Sequence, residues 1–230
     1  MIIAIDGPAG SGKSTTARAV ARRLGFFYLD TGAMYRAVGL LFMRQGLEPS
    51  ADNVEDALAQ LDLDLRPGTD GLRVFLSGVD VSDAIREPEA SVMASKVSKL
   101  EVVRSRLVAE QRRLAAVESE AGRGVVLEGR DIGTVVFPNA DLKIFLTADL
   151  AVRASRRSAQ MAAAPGNQSE VQIKKEMADR DRSDSTRDAS PLKMAVNAIE
   201  IDTTSIGFKE QVSRIVSLAG ERRRSRTVGH

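Results

Sequence analysis

Met1-Ile-Ile-Ala-Ile-Asp6-Gly7-Pro8-Ala9-Gly10-Ser11-Gly12-Lys13-Ser14 opens the chain and decides its fold. The run from Met1 to Asp6 is nearly all apolar, as expected of a strand buried on both faces. A glycine-rich turn follows at once. From Lys13 to Leu24 the residues Ala17, Val20, Ala21 and Leu24 recur at helical spacing, and Gly25 is a helix-stop signal. The turn fits G-x-x-x-x-G-K-[ST] and lies between strand and helix, the context which that motif needs. Its glycines let the backbone aim several N–H groups at phosphate oxygens, and the helix N-terminus adds partial positive charge. The expected cradle of a nucleoside triphosphate is therefore Gly7, Pro8, Ala9, Gly10, Ser11, Gly12, Lys13, Ser14 and Thr15. Lys13 is expected to reach the β and γ phosphates and Ser14 to ligate Mg2+.

Outward from this stretch, Phe26–Leu29, Val125–Glu128, Lys143–Leu146 and Ile199–Asp202 read as further buried strands, each followed by a turn or a helical pattern. Five such strands between helices predict an α/β fold with an open parallel sheet. The middle of the chain breaks the rhythm. Leu61, Leu63 and Leu65 alternate with polar residues, and Leu72–Leu76 and Val79–Val81 follow after tight turns. This predicts a small antiparallel meander inserted among helices at 34–45, 54–61, 87–98 and 102–117. A second irregular stretch, Ala162–Ser169 with Pro165-Gly166-Asn167, reads as the tip of a mobile flap between two arginine-rich helices.

Composition narrows the chemistry. The 230 residues include 43% hydrophobic and 28% charged side chains, an ordinary globular balance. No stretch approaches the ~20 apolar residues that a bilayer requires, so a cytoplasmic protein is expected. There is no cysteine, and the single histidine is His230. Thiolate nucleophiles, zinc–thiolate sites and histidine bases are thereby excluded. Net charge is only +2, yet the 33 basic residues divide into 25 arginines and 8 lysines.

A phosphate-binding loop is shared by GTPases, ATPase motors and small-molecule kinases. The chain has no Asn-Lys-x-Asp for guanine and no Leu-Ser-Gly-Gly signature, and it is short for a motor. A small kinase is favoured. Arg36 and Arg130 follow the second and third predicted core strands, where loops lie on the ligand side of an open sheet. Arg153, Arg156 and Arg157 precede the flap, and Arg180, Arg182 and Arg187 follow it. An acceptor that is itself a phosphate calls for this much positive charge and, being nucleophilic already, needs no histidine base. Glu128 reads either as a Mg2+ ligand through water or as a buried partner for an arginine. Asp30 reads equally well as a helix cap and is left outside the site.

Asp30-Thr31-Gly32-Ala33-Met34-Tyr35-Arg36, Glu128-Gly129-Arg130-Asp131-Ile132-Gly133-Thr134-Val135-Val136-Phe137-Pro138 and Arg180-Asp181 with Asp184 and Ser185-Thr186-Arg187 carry a resemblance. Together with the opening motif they make the chain resemble the bacterial cytidylate kinases nearly end to end. The resemblance implies ATP-dependent phosphorylation of CMP and dCMP with Mg2+. It also implies a P-loop core over 1–37 and 101–230, an acceptor-nucleotide insertion over 38–100, and a lid over 153–185. Carried over by residue, Arg36, Arg130 and Arg187 hold the acceptor phosphate. Ser95, Arg104 and Asp131 read cytosine, Arg180 and Asp184 hold the ribose, and Thr31 stands near the acceptor. Arg153 and Arg157 meet ATP phosphates. With Lys13, Arg130 and Arg187 these two form the expected catalytic set.

Two readings compete: a kinase of UMP, AMP or shikimate, and a nucleotide-gated protein whose Arg222–Arg226 tail contacts RNA. A solvated terminal charge run is the simpler account of that tail. A monomer with no stable nucleic-acid partner is expected.

Overall fold

A computed structural model describes residues 1–68, 71–161 and 169–227. Residues 162–168 of the expected flap, the Thr69-Asp70 turn and His230 lie outside the described residues. The chain packs as two compact units, one of Met1–Phe27 with Gly122–His230 and one of Tyr28–Ala121.

The first unit is built on strand β1 (Ile2–Asp6) and helix α1 (Lys13–Leu24), with Gly25 left-handed at the helix end. The Phe26 N–H reaches back to Ala21 O at 2.8 Å, closing the helix, so strand β2 (Phe27–Asp30) begins one residue later than the apolar run suggests. The remaining core strands are β6 (Val125–Gly129), β7 (Leu142–Thr147) and β8 (Ile199–Asp202). The sheet order is β2-β6-β1-β7-β8, with β1 central and parallel to β6 and β7. The chain leaves β1 in one direction and later returns to its other side at β7, so a topological switch point lies at β1. Ile3, Ala4 and Ile5 are completely buried, as the unbroken apolar run predicts. Gly124 is needed beside Phe26, because a Cβ there would stand 2.4 Å from the ring.

Helices α6 (Leu150–Met161), α7 (Glu170–Thr186) and α8 (Phe208–Thr227) complete this unit. Helix α8 runs through Arg222–Arg224, whose side chains are exposed.

The second unit takes in β2 from Tyr28 onward and holds helices α2 (Thr31–Gln45), α3 (Val54–Ala59), α4 (Pro88–Val97) and α5 (Glu101–Glu120). Its antiparallel sheet joins β3 (Leu63–Gly68), β4 (Gly71–Leu76) and β5 (Val79–Asp80). The period-two pattern resolves into cross-strand pairs Leu63 with Leu76 and Leu65 with Val74. These pack with Ala33, Ala37, Leu40 and Leu41 of α2 in one apolar cluster. Gly39 admits α4, since a Cβ there would lie 3.0 Å from Ala94 N. Helix α2 starts three residues before its apolar pattern because Asp30 caps it, accepting the Ala33 N–H at 3.0 Å. Among the described residues, no helix is long and apolar enough to cross a membrane.

Candidate active site

The loop after β1 turns through three left-handed glycines, Gly7, Gly10 and Gly12. Two of them are also forced by space: a Cβ at Gly7 would sit 2.0 Å from Leu146 O, and one at Gly10 would sit 2.7 Å from Met177 Cε. Helix α1 has no side-chain cap and no acidic residue in its first turn. Its leading N–H groups and dipole are left to an anionic ligand. The Lys13 Nζ donates to Pro8 O at 2.6 Å, and the side chain is buried. Burial, helped by Arg130 and then Arg180, pulls its ammonium down to about 7 against the opposing pull of Glu128 and Asp6. A buried cation beside two guanidinium groups is a place for phosphate charge. Ser14, exposed in the same first turn, presents a hydroxyl there.

The loop after β6 supplies the next group. Arg130 donates through Nε to Asp184 Oδ2 at 2.9 Å, and Arg187 Nη1 stands 4.0 Å from the other oxygen of that carboxylate. Arg180 and Asp184 lie one turn apart on α7, and Arg187, extended at the end of that helix, follows three positions on. Beyond α7 the chain bends back, and Arg187 Nε donates to Ser190 O at 2.8 Å. The structure thus assembles Lys13, Arg130, Arg180, Asp184 and Arg187 in one unit. Glu128 is buried and acts electrostatically on Lys13.

Arg153 is buried, with Nε on Ala148 O at 2.9 Å and Nη1 on Ala9 O at 3.0 Å. It therefore grips the loop backbone. Arg157, one turn further on, is half-buried, whereas Arg156 bonds Thr203 through both Nη atoms. Arg182 is exposed, with its guanidinium 3.9 Å from Asp179.

In the second unit Arg36 pairs with Asp30 at 2.9 Å, and Thr31 beside it is buried. Arg104 is buried, lies 5.7 Å from the centre of the Tyr35 ring and donates to Ser98 O at 3.5 Å. The Ser98 hydroxyl donates to Ser95 O at 2.9 Å and closes the end of α4, while the Arg104 bond to Ser98 O ties that end to α5.

One residue escaped the sequence reading. The Asp6 carboxylate, buried at the end of β1, accepts Ile132 N–H at 2.8 Å and Gly133 N–H at 2.7 Å. It thereby holds the turn of π-helix Ile132–Val136, directly after Arg130 and Asp131. A charge at the end of an apolar strand, just before Gly7, was the available signal. Burial pushes the Asp6 carboxyl up to about 6, opposed by the amides of Gly133 and Ile132. A folded pKa above the unfolded 3.8 means that the folded state binds more protons between the two values. This stabilisation is complete below pH 3.8 and lost as pH rises through 6. Relative to Asp6→Asn, the wild-type unfolding free energy in urea is therefore expected to increase by about 1 kcal/mol from pH 7 to pH 5. A difference that does not change with pH would show Asp6 to be ionised throughout.

The family model for cytidylate kinase matches residues 3–221. A cytidylate kinase of Thermotoga sp. strain RQ2 is 46% identical, over 96% of this chain and 97% of its own. One from Thermotoga neapolitana is 45% identical over the same shares. That of Salinibacter ruber is 45% identical, over 94% of this chain and 95% of its own. These likenesses, which run over nearly the whole chain, place it in the cytidylate kinase family.

Proposed function

We infer that the chain transfers the γ-phosphoryl group of ATP to CMP or dCMP, giving ADP with CDP or dCDP. The carrying observation is the buried Lys13 ammonium in an uncapped glycine cradle, with Arg130 and Arg180 acting on it. An anionic oxygen of the acceptor phosphate attacks the γ phosphorus, and the bond to the bridging oxygen breaks, leaving its electron pair on ADP. The nucleophile carries its charge already, so catalysis rests on alignment and on neutralising phosphate charge.

Gly7 to Thr15 bind ATP, and Lys13 follows the charge that develops on the transferred group. Arg36, Arg130 and Arg187 take the acceptor phosphate. Arg180 and Asp184 take its ribose, while Ser95, Arg104 and Asp131 take cytosine, with Thr31 nearby. Arg153 and Arg157 serve the ATP phosphates from α6. Among the described residues, no three carboxylate or imidazole groups gather to hold a metal. A lone hydroxyl suits Mg2+, which keeps several waters and takes the rest of its shell from substrate phosphates. Ser14 would hold it, and bound Mg2+ would neutralise phosphate charge. We further propose a cytoplasmic monomer, with 38–100 as the acceptor-nucleotide domain and 153–185 as a lid.

An ADP-release assay across CMP, dCMP, UMP, AMP and shikimate tests this directly. Both cytidine nucleotides are expected to exceed every other acceptor at least tenfold in kcat/KM. A higher value with UMP, AMP or shikimate would reassign the acceptor. Absence of acceptor-dependent ADP, with salt-sensitive RNA binding, would instead favour the RNA-contacting reading.

A further inference from the structure

Asp181 has no role in phosphoryl transfer itself, yet it is bonded to the glycine loop after β1. It lies in α7, 172 residues from Ala9, and its Oδ1 accepts the Ala9 N–H at 3.3 Å. Its Oδ2 accepts from Arg153 Nη1 at 2.5 Å, and the same nitrogen donates to Ala9 O at 3.0 Å. Both polar groups of Ala9 are thus held by a single ion pair. Met177 Cε and Arg153 Cβ close over Gly10, and Ala9 packs against the apolar cluster of Ala154, Ile173 and Met177.

We propose that Asp181 is a positioning residue for the ATP phosphates, acting through Arg153 and the Ala9 backbone. A P-loop binds by aiming consecutive N–H groups, so rotation of the peptide planes at Ala9 would turn the neighbouring donors away from the phosphate. Glycine at Gly7, Gly10 and Gly12 makes such rotation easy, and a carboxylate beside an anion site is otherwise unfavourable. Setting the loop before ATP arrives gives this carboxylate a reason to be there. The shared Arg153 nitrogen also keeps that guanidinium at the loop edge.

The proposal rests on the reading of this loop as the ATP site. Asp181→Ala is expected to raise KM for ATP about tenfold, with KM for CMP within twofold and kcat within about threefold of wild type. Asp181→Asn keeps an oxygen for the Ala9 N–H and should bring KM for ATP back to within about threefold. Asp181→Ser is too short to reach Ala9 and should behave as the alanine variant does, so it tests the idea even if Asp181→Ala folds poorly. An unchanged KM for ATP, an equal rise in both KM values, or an asparagine variant as impaired as alanine would overturn it. Lys13→Ala, run alongside, separates the two claims: full turnover there removes the ATP-site reading. Lost turnover there with KM for ATP unmoved in Asp181→Ala removes only the role of Asp181.

Discussion

Lys13→Ala is expected to lower kcat by about a thousandfold, with the thermal midpoint kept within a few degrees of wild type. The rate loss follows from position: the side chain is buried against the glycine loop, donating to Pro8 O, and one preorganised donor to developing phosphoryl charge is worth roughly a hundred to a thousandfold in turnover. The stability side follows from the sign of the pKa shift. A lysine pulled from 10.5 to about 7 by burial is more costly to keep charged in the folded state. Removing the charge relieves that cost, and the lost bond to Pro8 O offsets part of the gain. A coupled assay of ADP release and a thermal melt measure the two quantities. Near wild-type kcat would end the P-loop assignment; a collapsed melt would make Lys13 a structural residue first.

The β1–loop–α1 unit was readable because its instructions are local. Helix α1 covers Lys13–Leu24, as the spacing predicts, and it ends at a left-handed Gly25. Asp30 capping α2 was within reach for the same reason, the cap and the amide it holds being three residues apart. What stayed hidden is long-range. Nothing within Ile132–Val136 announces its π-helical turn, whose first two amides are taken by Asp6, 126 residues earlier. The same limit applies to the arginines. Spacing sets Arg153, Arg156 and Arg157 alike before the flap, but only folding shows Arg153 on the Ala9 carbonyl and Arg156 on Thr203. A motif names the residue types that a reaction needs; which guanidinium braces backbone is decided by carbonyls from distant strands.

Asp131→Asn is expected to shift base preference more than any other single change. Cytosine offers an amino donor at N4 beside an acceptor at N3, whereas uracil offers an acceptor at O4 beside a donor at N3. A carboxylate facing the 4-position attracts the first and repels the second. Asp131 is buried, and its main chain is anchored independently of its side chain, since its carbonyl accepts the N–H groups of Val135 at 2.9 Å and Val136 at 3.2 Å. Asparagine should therefore occupy the same place and turn its amide donor toward uracil O4. Arg104 would supply the complementary donor to a ring acceptor, and Ser95 can adapt because a hydroxyl both donates and accepts. The CMP-to-UMP ratio of kcat/KM should fall about ten- to a hundredfold, or roughly 1 to 3 kcal/mol, which is the range for one hydrogen-bonded position. The alternative is that Asp131 serves only to brace the adjacent Arg130. Turnover on CMP and UMP would then drop by the same factor with the ratio unchanged, and base reading would have to be assigned elsewhere.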